Sequence, residues 1–188
     1  SGLSATGVTK FCQSYEHNGV LYVDTPGLSD TQLRRQAALE IERALKKNRW
    51  YKIFFVVTIE GGRIKPDDLH TINRVMEAIN NPDKKFNVIF NKIIKREQQE
   101  IFETETAYNA FCDQLARNGH QAVSICSIEL DRDLDDNKSE FIAIKDRVKR
   151  FIFQDSKGFY LNSDQVSAID PQTAEELRQH MQAEEYRL

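Results

Sequence analysis

Ile53-Phe54-Phe55-Val56-Val57-Thr58 is a run of β-branched and aromatic residues with no polar alternation, broken a few residues on by Gly61-Gly62. Such a run is the pattern of a strand covered on both faces, which places it at the centre of a sheet. Upstream, Val20 to Val23 is a shorter apolar run that stops at Asp24-Thr25-Pro26-Gly27, where proline and glycine turn the chain out of a strand. Downstream, Phe86 to Phe90 and Ala122 to Ile128 are further, largely apolar runs. Between these runs the period changes to that of a helix. Leu33, Ala37, Ile41, Ala44 and Leu45 predict a helix from Thr31, capped by Asp30. Leu69, Ile72, Val75, Met76 and Ile79 predict a second, opened by Pro66 and stopped by Asn81-Pro82. A long helix is expected from Gln98 to Arg117, ended by Asn118-Gly119, and a last one from Glu140 to Phe153. Continuously apolar strands alternating with helices indicate parallel βαβ units, hence an α/β fold of three layers with helices on both faces of a mostly parallel sheet.

Composition bounds the rest. The chain has 188 residues, 40% hydrophobic and 29% charged, which suits one domain with a packed core rather than a disordered chain. A net charge of -3 disfavours nucleic-acid binding through summed phosphate contacts. The longest apolar run is far shorter than the roughly 20 residues of a membrane helix. Cys12, Cys112 and Cys126 lack C-x-x-C spacing and fit reduced thiols in a cytoplasmic protein. His17, His70, His120 and His180 are scattered without zinc-ligand spacing, and there is no G-x-S-x-G elbow. The basic stretch Lys145 to Arg150 reads as a solvated face, with peripheral contact to a lipid surface as its functional alternative. Trp50-Tyr51 reads as packing at the start of the 53–58 strand.

Ligands on parallel sheets bind in the crevice outside the carboxyl ends of the strands. At the first such end stands Asp24-Thr25-Pro26-Gly27. An aspartate there can hold a magnesium ion, and a glycine three residues later lets a backbone amide approach a terminal phosphate. The segment Val23-Asp-Thr-Pro-Gly-Leu-Ser-Asp-Thr31, preceded by Gly7-Val8-Thr9-Lys10-Phe11-Cys12-Gln13, resembles the immunity-associated GTPases (the GIMAP, AIG-type family), relatives of the septin-like proteins among the translation-factor-related P-loop GTPases. The resemblance spans about Ser4 to Phe153 as an order of elements and is sharp from Val8 to Thr31.

The resemblance implies a GTPase-like domain over residues 1–155. Thr9 and Asp24 are implied as magnesium ligands and Gly27 as the amide that meets the γ-phosphate. Asn91-Lys92, after the strand Phe86 to Phe90, falls where the family carries an Asn-Lys-x-Asp motif for guanine, and Ser127 where the last loop closes on the base. The motif's fourth position holds Ile94, which accepts no hydrogen bond. Implied ligands are GTP or GDP with Mg2+, and the implied partner is a second copy across the nucleotide face, as homodimer or homo-oligomer. Leu28 stands where a water-orienting glutamine would, so no catalytic residue is assigned.

The phosphate loop G-x-x-x-x-G-K-[ST] has one near-match, Gly2-Leu-Ser-Ala-Thr-Gly7-Val8-Thr9, with valine in place of lysine and too little chain before Asp24 for a strand and helix. The first strand and phosphate loop are therefore expected to be absent from this chain, either by truncation or by evolution, in keeping with only 8 glycines. Two functions stay open: a GTP-hydrolysing switch if the loop lies upstream, and a nucleotide-free pseudo-GTPase acting as an interaction module. Residues 156–188 are expected to form a tail, with a helix over 171–187 opened by Asp170-Pro171.

Overall fold

The computed structural model describes residues 11–28, 33–116, 122–130 and 144–172. Asn18 and Gly19 join β1 (Gln13–His17) to β2 (Val20–Asp24) in an antiparallel hairpin. Both turn residues have positive φ, 50° and 73°, as the favoured two-residue hairpin turn requires. The run at 20–23, expected in the parallel sheet, pairs instead with its polar sequence neighbour, because the Asn-Gly turn closes that contact locally. Helix α1 (Arg34–Leu45) starts with Leu33 in the capping position and buries Ala37, Ala38, Ile41 and Leu45. The expected cap, Asp30, lies outside the described residues.

Arg49 to Tyr51 form β3, a strand separate from β4 (Phe54–Val57). A tight ribbon of β5 (Ile59–Glu60) and β6 (Arg63–Ile64) turns on Gly61 and Gly62, both at positive φ. Helix α2 (Pro66–Glu77) has proline in its first turn and Asp67 and Asp68 beside its positive dipole end. The longest described strands are β7 (Phe86–Ile93) and β8 (Ala122–Glu129). Between them lie the short turn α3 (Lys95–Glu97), a π-helical turn at Gln98–Phe102, and α4 (Glu105–Ala116). The single helix expected from Gln98 to Arg117 is thus broken. The Thr104 hydroxyl donates to Gln99 O at 3.3 Å, and Thr104 O accepts Tyr108 N at 2.9 Å to start the next helix. Next among the described residues come α5 (Asp146–Arg150), a π-helical turn at Phe151–Asp155, and β9 (Phe159–Leu161).

The fold is mixed α/β around a parallel three-stranded sheet in the order β4-β7-β8. Its centre is β7, where Phe86, Val88 and Phe90 are essentially inaccessible. The run at 53–58, expected to be central, pairs only with β7 among the described residues, and Val56 is 61% exposed. Composition records that its side chains are apolar, not how many neighbours its backbone has, and of the run only Val57 is buried.

Residues 156–172, expected as the start of a tail, pack into the same core through Phe159, Leu161, Val166 and Ile169. Strand β9 pairs antiparallel with β3, which accounts for Trp50-Tyr51 leaving the parallel sheet. Beyond it, Ser167 donates twice to Ala78 O, Asp170 meets Arg74 at 3.7 Å, and Gln172 O lies 2.6 Å from His70 Nε2. The segment is a strap that runs antiparallel to α2. Of the helix expected over 171–187, residues 171 and 172 are not helical, and 173–188 lie outside the described residues. Among the described residues, no helix is long and apolar enough to cross a membrane.

Candidate functional site

The three parallel strands end on one edge. In β7 the strand does not stop at Phe90, as expected, but runs to Ile93, with Asn91-Lys92 in a bulge where the register against β8 slips. Lys92 takes φ 59°, a left-handed conformation that costs a non-glycine residue about 1 kcal/mol and collects at functional sites. Its amide donates to Asn91 Oδ1 at 2.9 Å, so the asparagine holds the bulge together. Past it, Ile93 pairs with Glu129, and Leu130 N donates to Ile93 O at 2.8 Å. Ile94 is 43% exposed, and its amide donates to Glu97 Oε2 at 3.3 Å.

Ser127 lies opposite Phe90 in the neighbouring strand, so the structure brings Asn91, Lys92 and Ser127 to the same end of adjacent strands. Ser127 is buried. Its hydroxyl donates to Gln98 Oε1 at 2.8 Å and accepts from Arg147 Nη1 at 3.3 Å, while Arg147 Nη2 donates to Ser127 O at 2.7 Å. Gln98 opens the π-helical turn, which Phe102 and Phe111 hold against Phe90 at ring separations of 5.2 and 5.8 Å. Arg147, in the stretch expected as a solvated face, is therefore part of this end of the sheet. The groove beside it, about 520 Å³, is lined by Asp146, Lys149, Arg150 and Phe153. Its cations are matched by acids, Lys149 by Asp146 at 3.7 Å and Arg150 by Asp155 at 3.6 Å.

Asp24 ends β2, followed by buried Pro26, exposed Gly27 and buried Leu28. Leu28 belongs to the same core as Val57, Phe90 and Ile93, and its carbonyl accepts Arg34 Nε at 3.2 Å. The foot of the hairpin is tied to α1, since Cys12 N donates to Glu40 Oε2 and Cys12 Sγ to Glu40 O. Burial, with Glu40 and Asp24 adding to it, pushes the Cys12 thiol up. Thr9 lies outside the described residues. Among the described residues no cluster of three or more His, Cys, Asp or Glu is placed to hold a metal. Magnesium needs fewer protein ligands, one or two carboxylates completed by water and phosphate, and Asp24 suits that chemistry.

At the end of β4, Asp68 Oδ2 accepts Thr58 N at 3.1 Å. Burial raises the Asp68 carboxyl above its usual range, with Asp67 adding to the shift and the Thr58 amide and Lys65 opposing it. The penalty on the charged form is complete above the raised pKa and disappears as pH falls through it towards 3.8, because the folded state takes up the proton first. Asp68→Asn, which keeps an acceptor for Thr58, is expected to melt above the wild type at neutral pH. The gap should close below about pH 4; a gap that widens on acidification contradicts the assignment.

Sequence patterns pointed to Asn91, Lys92, Ser127, Asp24 and Gly27, and missed Glu97, Gln98, Arg147 and the role of Asp68. Asp68 carried a signal, an acid in the first turn after a strand end. Gln98 and Arg147 carried none, because they act on Ser127 from elements distant in the chain. No family model, curated protein or solved structure matches the chain.

Proposed function

We propose that the chain is a guanine-nucleotide-binding switch domain of the immunity-associated GTPase type, built on a P-loop GTPase-like fold. The observation that supports this most is the strained Asn91-Lys92 bulge lying beside Ser127 at the carboxyl ends of adjacent parallel strands. Asp24 and Gly27, on a separate strand end whose loop inserts Leu28 into the same core, supply the second half of the reading.

In this role Asp24, with Thr9, holds Mg2+, which offsets phosphate charge when bound. The Gly27 amide donates to the terminal phosphate, while Asn91, Lys92 and Ser127 hold the base. Nucleotide-dependent ordering around Thr9 and Gly27 governs self-assembly across this face. No side chain is assigned as general base, so hydrolysis is slow unless a second subunit completes the site.

A nucleotide-free interaction module is the second reading. Two observations favour it: Ile94 offers no acceptor, and the Ser127 hydroxyl is already committed to Gln98. Calorimetry on the full-length protein separates the two. Mg·GDP and Mg·GTP should bind and ATP should not, and Asp24→Ala should weaken magnesium-dependent binding about 10- to 100-fold. Absence of nucleotide binding leaves the interaction module.

A further inference from the structure

We infer that Glu97 is the residue that selects the base, its carboxylate replacing the acceptor that Ile94 lacks; the assignment rests on the nucleotide-binding function proposed above. A guanine ring presents two adjacent N–H donors on one edge, whereas adenine presents a ring lone pair beside its amino group. A carboxylate therefore attracts the first edge with two parallel charge-assisted bonds and repels the second. The acceptor must lie past the Asn91-Lys92 bulge, on the chain that continues from β7. Glu97 is the first acidic side chain there.

Three observations hold it in place. Its Oε2 accepts Ile94 N at 3.3 Å, which fixes the carboxylate beside the backbone of position 94. An ionised carboxylate has about four lone-pair sites, so this bond leaves capacity for two more donors. The next residue, Gln98, accepts the Ser127 hydroxyl at 2.8 Å and so ties the turn that carries Glu97 to β8. Of the two cations on this turn, Lys95 and Arg96, Arg96 is turned to Glu100 at 3.6 Å. Glu97 is thus bonded to the backbone of position 94, where the motif's own acceptor is missing, and the residue after it is bonded to Ser127.

Glu97→Gln keeps the size of the side chain and an acceptor for Ile94 N but replaces one oxygen by a donor. Binding of GDP, IDP and XDP to the full-length protein is measured by calorimetry. The wild type should prefer GDP over IDP, which lacks the 2-amino donor, by roughly tenfold. In Glu97→Gln the ratio should fall towards one and XDP should gain, with the melting temperature unchanged. Ile94→Asp added to Glu97→Gln should restore the preference for GDP. An unchanged GDP-to-IDP ratio in Glu97→Gln makes Glu97 a cap of the turn and overturns the assignment while leaving nucleotide binding intact. A wild type that binds none of the three overturns both.

Discussion

Asn87→Ala is expected to lower the unfolding free energy by about 4 kcal/mol. Asn87 lies in the central strand with no exposed surface and uses its whole amide. Nδ2 donates to Ile53 O at 2.9 Å and to Lys157 O at 3.0 Å, and Oδ1 accepts the Ser124 hydroxyl at 2.6 Å and Lys157 N at 3.1 Å. One side chain therefore joins β4, β7 and β8 to the start of the strap. Truncation removes four part-buried hydrogen bonds at about 1 kcal/mol each, two of them to the backbone of Lys157. For a chain of this length the loss corresponds to roughly 10 °C in melting temperature. Ser124→Ala should cost only about 1 kcal/mol, because Oδ1 keeps Lys157 N. Thermal and denaturant melts of both variants check the order. Equal losses would mean that the strap is not held by Asn87.

Gly158→Val is expected to cost about 3 kcal/mol, at the upper end for overpacking. A Cβ on Gly158 would stand 2.5 Å from Tyr51 O and 2.6 Å from Trp50 Nε1. The first of these is backbone of Tyr51 in β3, and Gly158 lies one residue before the Tyr51–Phe159 pair, so the β3–β9 ladder must separate to make room. The position has ordinary φ, which makes the cost steric rather than conformational. Trp50→Ala in the same chain removes only the indole contact and should recover little. Full recovery would place the clash on the side chain instead of the carbonyl. Loosening this ladder should also raise hydrogen exchange at Phe159 and Leu161 while leaving β7 and β8 protected.

These two sites show where sequence patterns run out. The strands at 86–90 and 122–128 were legible because their apolar residues are dense and local, interrupted only by Asn87, Ser124 and Ser127. Phe159, Leu161, Val166 and Ile169 are spaced singly in a polar background, and their partners lie about a hundred residues away, so no periodic signal marks the strap. The polar strand 13–17 escaped for the opposite reason: only its Asn18-Gly19 turn announced a hairpin. The apolar run at 53–58 carried its burial correctly for Val57 but not its place in the sheet, since strand order depends on which backbones find each other. At the site, Asn91-Lys92 could be read from residue types. The left-handed Lys92, and the bonds of Gln98 and Arg147 to Ser127, arise from chain geometry and tertiary packing that no local pattern encodes.

The central claim is that guanine nucleotide binds at the carboxyl ends of these strands. Calorimetric titration of the full-length protein with Mg·GDP, beside its Asp24→Ala variant, tests it most directly. The account predicts micromolar or tighter binding that requires magnesium and weakens about 10- to 100-fold in Asp24→Ala. No heat of binding from the wild type, or binding equally strong in Asp24→Ala and without magnesium, would contradict it.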